Sequence, residues 1–154
     1  MEVVSETDSQ KKVIWEIIHE AHPEGRKLAD NHYSRKTKGA THFVGPGEKL
    51  VLLTPDKKAL FAWRKNKYRQ DGQKGIECSI FRNEGEWLSS VLVEKAVKLA
   101  RKKWGSDTRL FTYVNPSAIR STNPGYCFLK AGWKKKGTNK DGRLILLEAP
   151  EEVP

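Results

Sequence analysis

Apolar positions in this chain fall into short runs separated by turn residues, with a single longer stretch of helical period. Leu50-Val-Leu-Leu-Thr54 and Ala59-Leu-Phe-Ala-Trp63 flank Pro55-Asp56, a spacing that predicts two strands joined as a hairpin. Upstream, Lys12 to Glu20 (KVIWEIIHE) is rich in β-branched and aromatic residues and stops at His22-Pro23, predicting a first strand. A short helix from Pro23 to Asp30 follows, and the Gly- and Pro-containing stretch TKGATHFVGPGEK reads as loop. Beyond the basic segment RKNKYRQDGQKG, Gly75 to Phe81 (GIECSIF) alternates apolar and polar residues as a fourth strand. From Trp87 to Trp104 the period changes: Leu88, Val91, Leu92, Ala96, Leu99, Ala100 and Trp104 recur at three and four, marking an amphipathic helix that Gly105 ends. Leu110 to Val114 is a fifth strand, Gly125 to Ala131 a short helix stopped by Gly132, and Arg143 to Glu148 a last strand.

The order β-α-β-β-β-α-β-α-β predicts an α/β (α+β) domain, a mixed and mostly antiparallel sheet with helices on both faces. Its parallel contact belongs between the fourth and fifth strands, which the long helix joins as a right-handed crossover. The start of that helix offers unpaired backbone N–H groups and the positive end of a dipole, where an anionic group is favoured. One domain spanning 1–154 is expected, with 1–11 and 150–154 as flexible ends.

Composition narrows the partners. The 154 residues carry 29 Lys plus Arg against 19 Asp plus Glu, a net charge of +10 that attracts polyanions. Five Trp, five Phe and four Tyr are too many for a disordered basic tail. No apolar run approaches the ~20 residues needed to cross a bilayer, and the N-terminus lacks the order of a signal peptide, so a soluble cytoplasmic protein without a membrane partner is expected. Cys78 and Cys127 show no metal-ligand spacing and read as reduced thiols.

Two stretches carry candidate chemistry: Phe81-Arg-Asn-Glu-Gly-Glu-Trp-Leu-Ser-Ser90, which joins a strand to the long helix, and Tyr126-Cys-Phe-Leu-Lys-Ala-Gly-Trp133. The pair resembles the GNAT N-acetyltransferase superfamily, in which an R/Q-x-x-G-x-G/A turn cradles the pyrophosphate of acetyl-CoA and a Y-x-x-x-G-F segment ends a short helix. Arg82-x-x-Gly85 and Phe128-x-x-x-Gly132-Trp133 match. The resemblance implies a GNAT-like acyltransferase fold and acetyl-CoA or a related donor held by Arg82, Asn83, Gly85, Ser89, Ser90 and Asn123. Ser89 reads equally as a helix cap, and Asn123 equally as part of an Asn-Pro-Gly turn. Two positions depart from the pattern. Trp87 stands where the turn's second small residue would be, and Phe128 stands where a tyrosine often protonates the departing thiolate. Tyr126 is the substitute acid, with packing against the sheet as its other reading.

The segment Arg120-Ser-Thr-Asn-Pro-Gly-Tyr-Cys-Phe128, with Asn31-His-Tyr-Ser-Arg35 and Ala131-Gly-Trp133, resembles a narrower group, the Mom-like phage enzymes that modify DNA. That resemblance implies transfer of a carbamoylmethyl group to N6 of adenine in DNA, protection of phage DNA from restriction, and residence in the cytoplasm of a bacterial host. An adenine amino group is a poor nucleophile that a site must position and relieve of a proton. His32 is the candidate base, Tyr33 a group that orients or stacks on an extruded base, and Ser121 and Tyr126 complete the catalytic set. His32 is also the candidate ligand should a metal be used, without a second ligand at matching spacing.

Three basic runs are candidates for double-stranded DNA: Arg35, Lys36 and Lys38; Arg64, Lys65, Lys67 and Arg69 around Tyr68; and Lys134, Lys135 and Lys136 after Trp133. Tyr33, Tyr68 and Trp133 offer stacking surfaces among them. Two alternatives remain beside DNA modification: an acetyl-CoA-dependent N-acetyltransferase acting on a small amine or a protein, and a non-catalytic nucleic-acid-binding domain. Oligomeric state, donor identity and target context leave no trace in the sequence.

Overall fold

The structure, a computed structural model, describes residues 15–32, 42–66, 71–117 and 125–151. The hairpin is its centre. β2 (Glu48–Leu53) pairs antiparallel with β3 (Ala59–Lys65), with Leu53 opposite Leu60. Polar groups fix the turn between them: Thr54 Oγ1 donates to Asp56 Oδ1 at 2.7 Å and accepts from the Ala59 amide at 3.0 Å. Thr54 is thereby satisfied although fully buried.

Around this hairpin one sheet assembles in the order β1-β2-β3-β4-β5-β7-β6. β1 (Glu16–Ile18) borders β2, and β4 (Ile76–Asn83) pairs antiparallel with β3. The parallel partner of β4 is β5 (Leu110–Val114), as expected of a helical crossover. β7 (Ile145–Glu148) lies antiparallel to β5 and carries β6 (Lys134–Thr138) on its outer edge. Among the described residues three helices connect the strands: α1 (Pro23–Asp30), α2 (Ser89–Trp104) and α3 (Tyr126–Lys130).

Strand alternation sorts the core onto two faces. Leu50, Leu52, Phe61, Trp63, Ile76 and Cys78 pack against Leu92, Val93, Ala96 and Ala100 of α2 and Phe128 of α3. Val51, Leu53, Leu60, Ala62 and Ile80 pack against Leu28 and Ala29 of α1 on the other face. Two indoles pin α2 in position, the Trp15 Nε1–H to the Leu92 carbonyl at 3.0 Å and the Trp63 Nε1–H to the Ala96 carbonyl at 3.1 Å.

β4 carries one irregularity. Ala62 stands opposite Ile80 but Trp63 opposite Cys78, so Ser79 is an extra residue, a β-bulge. It reverses the phase of the strand: Cys78 faces α2, Ile80 faces α1, and Phe81 returns to the α2 face against Phe61 and Phe128.

The predicted fold class holds, with four corrections to its elements. β6 is an additional strand within what reads as a basic run, since KKKGT buries none of its side chains and therefore shows no apolar pattern. β1 is shorter than 12–20: residues 12–14 lie outside the described set, and a turn begins at His19, whose carbonyl accepts from His22 N at 3.0 Å. The last strand starts at Ile145 rather than Arg143 because the turn before it is closed by Asn139 Oδ1, which accepts from Leu144 N at 2.9 Å. α2 begins at Ser89, two residues later than its apolar period suggests, because the Trp87 carbonyl accepts from the Asn83 side chain at 2.7 Å. At the other end of the chain, the Pro150 carbonyl is held by Arg101 Nη2 at 2.7 Å. Leu92 is fully buried between α2 and the sheet. Leu92→Ala is expected to cost about 2–5 kcal/mol of unfolding free energy, measured by urea denaturation, by deleting buried methyls and leaving a cavity.

Candidate active site

The parallel ladder between β4 and β5 is short. It pairs Ile76 with Leu110, Glu77 with Phe111 and Cys78 with Thr112, and then stops. At that last pair Thr112 Oγ1 donates to the Cys78 carbonyl at 2.8 Å, and on the next residue the Ser79 bulge turns β4 aside. The strands part there, and a cleft of about 600 Å³ opens between Cys78–Phe81 of β4 and Thr112–Val114 of β5. A crevice beyond the carboxyl ends of parallel strands is where open α/β sheets bind ligands, and this volume suits a small molecule or the arm of a larger one.

The cleft joins the two faces of the sheet. From the α2 face it receives Leu88, Ser89 and Ser90 at the start of the long helix and Tyr126, Cys127, Phe128 and Lys130 of α3; from the α1 side it receives His32. Gly125, just before α3, adopts φ +77, and a Cβ there would approach Leu147 Cδ1 to 2.7 Å. Glycine thus lets the chain turn tightly against β7 and deliver α3 to the cleft.

The start of α2 is unusual in three respects. Its N-cap is Leu88, whose side chain cannot cap and is 62 % exposed; its first turn holds no acidic residue; and the Ser89 and Ser90 amides have no backbone partner among the described residues. The turn before it is organised by Asn83. The Asn83 Nδ2 donates to the Trp87 carbonyl at 2.7 Å and to Ser89 Oγ at 2.9 Å, while Oδ1 accepts from the Gly85 amide at 3.0 Å. The Glu84 amide donates to the Lys58 carbonyl at 2.7 Å, so the turn is tied to the β2–β3 hairpin.

Across the cleft, His32 closes α1, its amide donating to the Ala29 carbonyl at 3.0 Å. Burial, reinforced by the nearby Arg82 guanidinium, lowers its pKa from 6.5 to about 4, so the imidazole is neutral at physiological pH. Arg82 itself pairs with Glu84 at 2.9 Å. Asn31 Nδ2 donates to the same carboxylate at 2.9 Å, and these contacts, Asn31 first, hold Glu84 below the usual carboxylate range. Two thiols also face the cleft. Burial raises Cys78 well above its ordinary value and Cys127 to about 11, so both stay protonated.

Of the residues predicted from sequence, the cleft brings together His32, Tyr126, Ser89 and Ser90. Arg82 stands beside His32 rather than at the helix start. Asn83 and Gly85 shape the turn instead of lining the cleft, and Gly85 is tight because a Cβ there would meet Lys58 Cβ at 3.0 Å. Tyr33, Ser121, Asn123, Arg35, Lys36, Lys38, Lys67 and Arg69 lie outside the described residues, as does Tyr68. Phe128 is buried against Phe81 and Trp133 and has no proton to give. Trp87 is half-buried against the α2 face of the core. Trp133 is not a stacking platform. It is 2 % exposed, packed on Phe128 at 4.8 Å and stacked on Trp63 at 6.3 Å between ring centroids.

The described residues of the second and third basic runs stand apart. One level of the sheet reads Arg64, Glu77, Phe111, Glu148, Lys134 from strand to strand. Arg64 and Lys134 are therefore four strand spacings apart, roughly 19 Å. Arg64 and Lys65 lie at the end of the sheet away from the cleft. No group of three or more His, Cys, Asp or Glu able to hold a metal ion occurs among the described residues. No described helix is long and apolar enough to cross a membrane. Sequence reasoning passed over Leu88, Thr112, Cys127 and Lys130; Cys127, between two aromatic residues already singled out on so short a helix, was the one with a signal.

No protein-family model matches the chain, and no curated protein does. Solved structures do. An acyl-CoA N-acyltransferase from Pseudomonas aeruginosa superposes with a TM-score of 0.58 at 15% identity, over 90% of this chain and 100% of that one. A protein from Bordetella pertussis assigned to the GNAT acetyltransferase family gives 0.52 at 13% identity, over 90% of this chain and 99% of that one. The chain has a GNAT-like acetyltransferase fold.

His32 gives this site a pH signature. Its folded pKa lies below the unfolded value, so the unfolded chain binds the proton first, and the stability involved is complete above pH ~6.5 and lost as pH falls towards ~4. The loss is on the order of 3 kcal/mol. A His32→Asn variant is expected to flatten that part of the stability curve, and NMR titration of the His32 ring is expected to show no protonation at pH 5.5.

Proposed function

We propose that the protein is an N-acyltransferase that takes an acyl group from a coenzyme A-type thioester and delivers it to an amine. The observation that carries this reading is the uncapped start of α2 opening into the cleft where β4 and β5 part. Free amides at Ser89 and Ser90, a positive dipole end and a first turn without a carboxylate suit the phosphates of such a donor. Leu88 and Tyr126, both exposed on the cleft's lips, suit its apolar arm. A bound thioester supplies the activated carbonyl, and the protein supplies position and proton transfer.

The residues on the acceptor side narrow the amine. Neutral His32 accepts a proton from nitrogen once the new C–N bond has made that nitrogen acidic. With a pKa near 4 it is far too weak a base to deprotonate an alkylammonium group, whose pKa is about 10. Arg82 beside it further disfavours a cationic acceptor. The site therefore suits an amine already neutral at physiological pH, such as an aromatic or nucleobase amine.

That preference supports a second reading, transfer to the N6 amino group of adenine in DNA, with the acyl group of the thioester moved to a base extruded from the duplex and the thiol released; a carbamoylmethyl product would instead need an alkyl donor with its own leaving group. The net charge of +10 and Lys130 at the cleft support it further. Tyr33, Ser121 and Asn123, close in sequence to the cleft residues His32 and Gly125, are the residues to probe as partners of the transferred group.

Ser89→Asp tests the donor side because it separates stability from binding. An added carboxylate on the first turn of α2 is expected to raise the melting temperature slightly, a gain of about 0.3–1 kcal/mol. The same charge is expected to raise the KM for acetyl-CoA about tenfold or more, through repulsion of its phosphates. An unchanged KM, read from thiol release with an arylamine acceptor, would remove the donor from this helix. For the second reading, genomic DNA from cells expressing the protein is digested and its nucleosides are weighed by mass spectrometry. A modified deoxyadenosine is the expected product, and unmodified DNA alongside arylamine turnover leaves only the first.

A further inference from the structure

We infer that the acyl group this site transfers is a hydrocarbon chain of medium length, butyryl to octanoyl rather than acetyl, seated on an apolar floor of the cleft. The inference rests on the thioester reading above and names the substrate of that same site.

Burial divides the cleft into rim and floor. Leu88 and Tyr126 on its lips are exposed, whereas Cys78, Thr112, Val114 and Phe128, which also line it, are buried. Half-buried Phe81 and Cys127 join the two levels. A volume of about 600 Å³ lies in the range that holds drug-sized ligands, and an acetyl group fills only a small part of it. With the thioester arm on the lips and the acceptor nitrogen on the His32 side, the floor belongs to the acyl group.

The side chains of that floor keep their polar groups for the protein. Thr112 Oγ1 gives its proton to the Cys78 carbonyl at 2.8 Å, and Cys78 Sγ donates to the Ile80 carbonyl at 3.6 Å. The neighbouring Ser79 hydroxyl donates to the Ala62 carbonyl at 3.4 Å. Phe81 and Phe128 meet edge to face at 5.9 Å between ring centroids. Ring nitrogens or sugar hydroxyls seated there would find no strong side-chain donor, at a cost in desolvation. A hydrocarbon needs none and gains by releasing water from the floor.

The two thiols suit a wall better than a chemical step. Burial holds Cys78 well above its ordinary pKa and Cys127 at about 11, so neither presents a thiolate nucleophile at neutral pH. A protonated thiol packs as a small hydrophobe. Small side chains at 78, 112 and 127 leave open a space that larger ones would fill. Along β4 from Cys78 to Phe81 the floor measures at most about 10 Å. An extended chain advances roughly 1.2 Å per bond, so the preference is expected to level off near octanoyl.

In the transfer the acyl carbon exchanges its C–S bond for a C–N bond, and one amine proton ends on the released thiol. The hydrocarbon tail takes no part, so the floor binds it equally in the ground state and the transition state. Chain length is therefore expected to act on KM and to leave kcat nearly constant.

The test compares acetyl-, butyryl-, hexanoyl- and octanoyl-CoA as donors to an arylamine, read by thiol release. The expected rise in kcat/KM is about threefold to fourfold per added methylene up to hexanoyl, carried by KM. A value for hexanoyl-CoA at or below that for acetyl-CoA would overturn the inference. Cys127→Phe, with Cys127→Leu as the milder filling, is expected to lower the hexanoyl-to-acetyl ratio about tenfold or more, and Cys127→Ala to move the optimum to a longer chain. Circular dichroism melts check that the variants fold. An unchanged ratio in a folded filling variant, or loss of all transfer in folded Cys127→Ala, would count against a wall. S-acyl-N-acetylcysteamines of the same chain lengths, which carry no phosphate, are titrated in parallel and followed through the Val114 methyl resonances. Binding that tightens with chain length while no CoA thioester is turned over removes the acyltransferase reading and keeps the apolar floor. Turnover that ignores chain length does the reverse, and neither binding nor turnover removes both.

Discussion

The architecture of the site depends on the point where β4 leaves β5. Three parallel pairs hold the strands together, the Thr112 hydroxyl caps the last of them on the Cys78 carbonyl, and one extra residue at Ser79 ends the ladder. Beyond that pair β4 and β5 are no longer joined as a ladder. The same inserted residue reverses the side-chain phase of β4, returning Phe81 to the α2 face of the core. Moving or deleting it would close the cleft and turn Phe81 and Arg82 to the wrong faces together.

What was legible in the sequence depends on what leaves an apolar trace. The β2–β3 hairpin, the long helix and its parallel crossover bury side chains at regular periods, and all were expected. β6 buries nothing, so KKKGT reads as solvated charge and its strand character comes only from hydrogen bonds to β7. The bulge is hidden as well, since GIECSIF alternates acceptably with or without an extra residue. The functional residues divide in the same way. Ser89, Ser90 and Tyr126 reach the cleft because local elements put them there. Arg82 next to His32, about fifty residues away in sequence, results from tertiary packing that no local pattern announces. Trp133 misled for the opposite reason, being an aromatic among lysines that turned inward.

Net charge is a poor guide to a surface until pairing is considered. Some of the 29 Lys and Arg pair with Glu20, Glu48, Glu84 or Glu148, and others sit at the last turn of α2, where cations favour the dipole. Lys130 likewise stands in the last turn of α3.

The two faces of the sheet also differ electrostatically in a way that suits group transfer. On the α2 face the cleft presents bare helix amides and two protonated thiols; on the α1 side it presents a neutral imidazole beside a guanidinium. Anionic donors are favoured on the first, and cationic acceptors are disfavoured on the second. The gap between β4 and β5 is where those faces communicate, so reactants that enter from opposite sides meet at the residues that opened it. A weakly basic imidazole is a handicap for an enzyme that must first deprotonate its substrate. It is no handicap where the nucleophile arrives neutral and only the product nitrogen must shed a proton. In the proposed reaction the low pKa of His32, set first by its burial and then by Arg82, would select the acceptor by its protonation state.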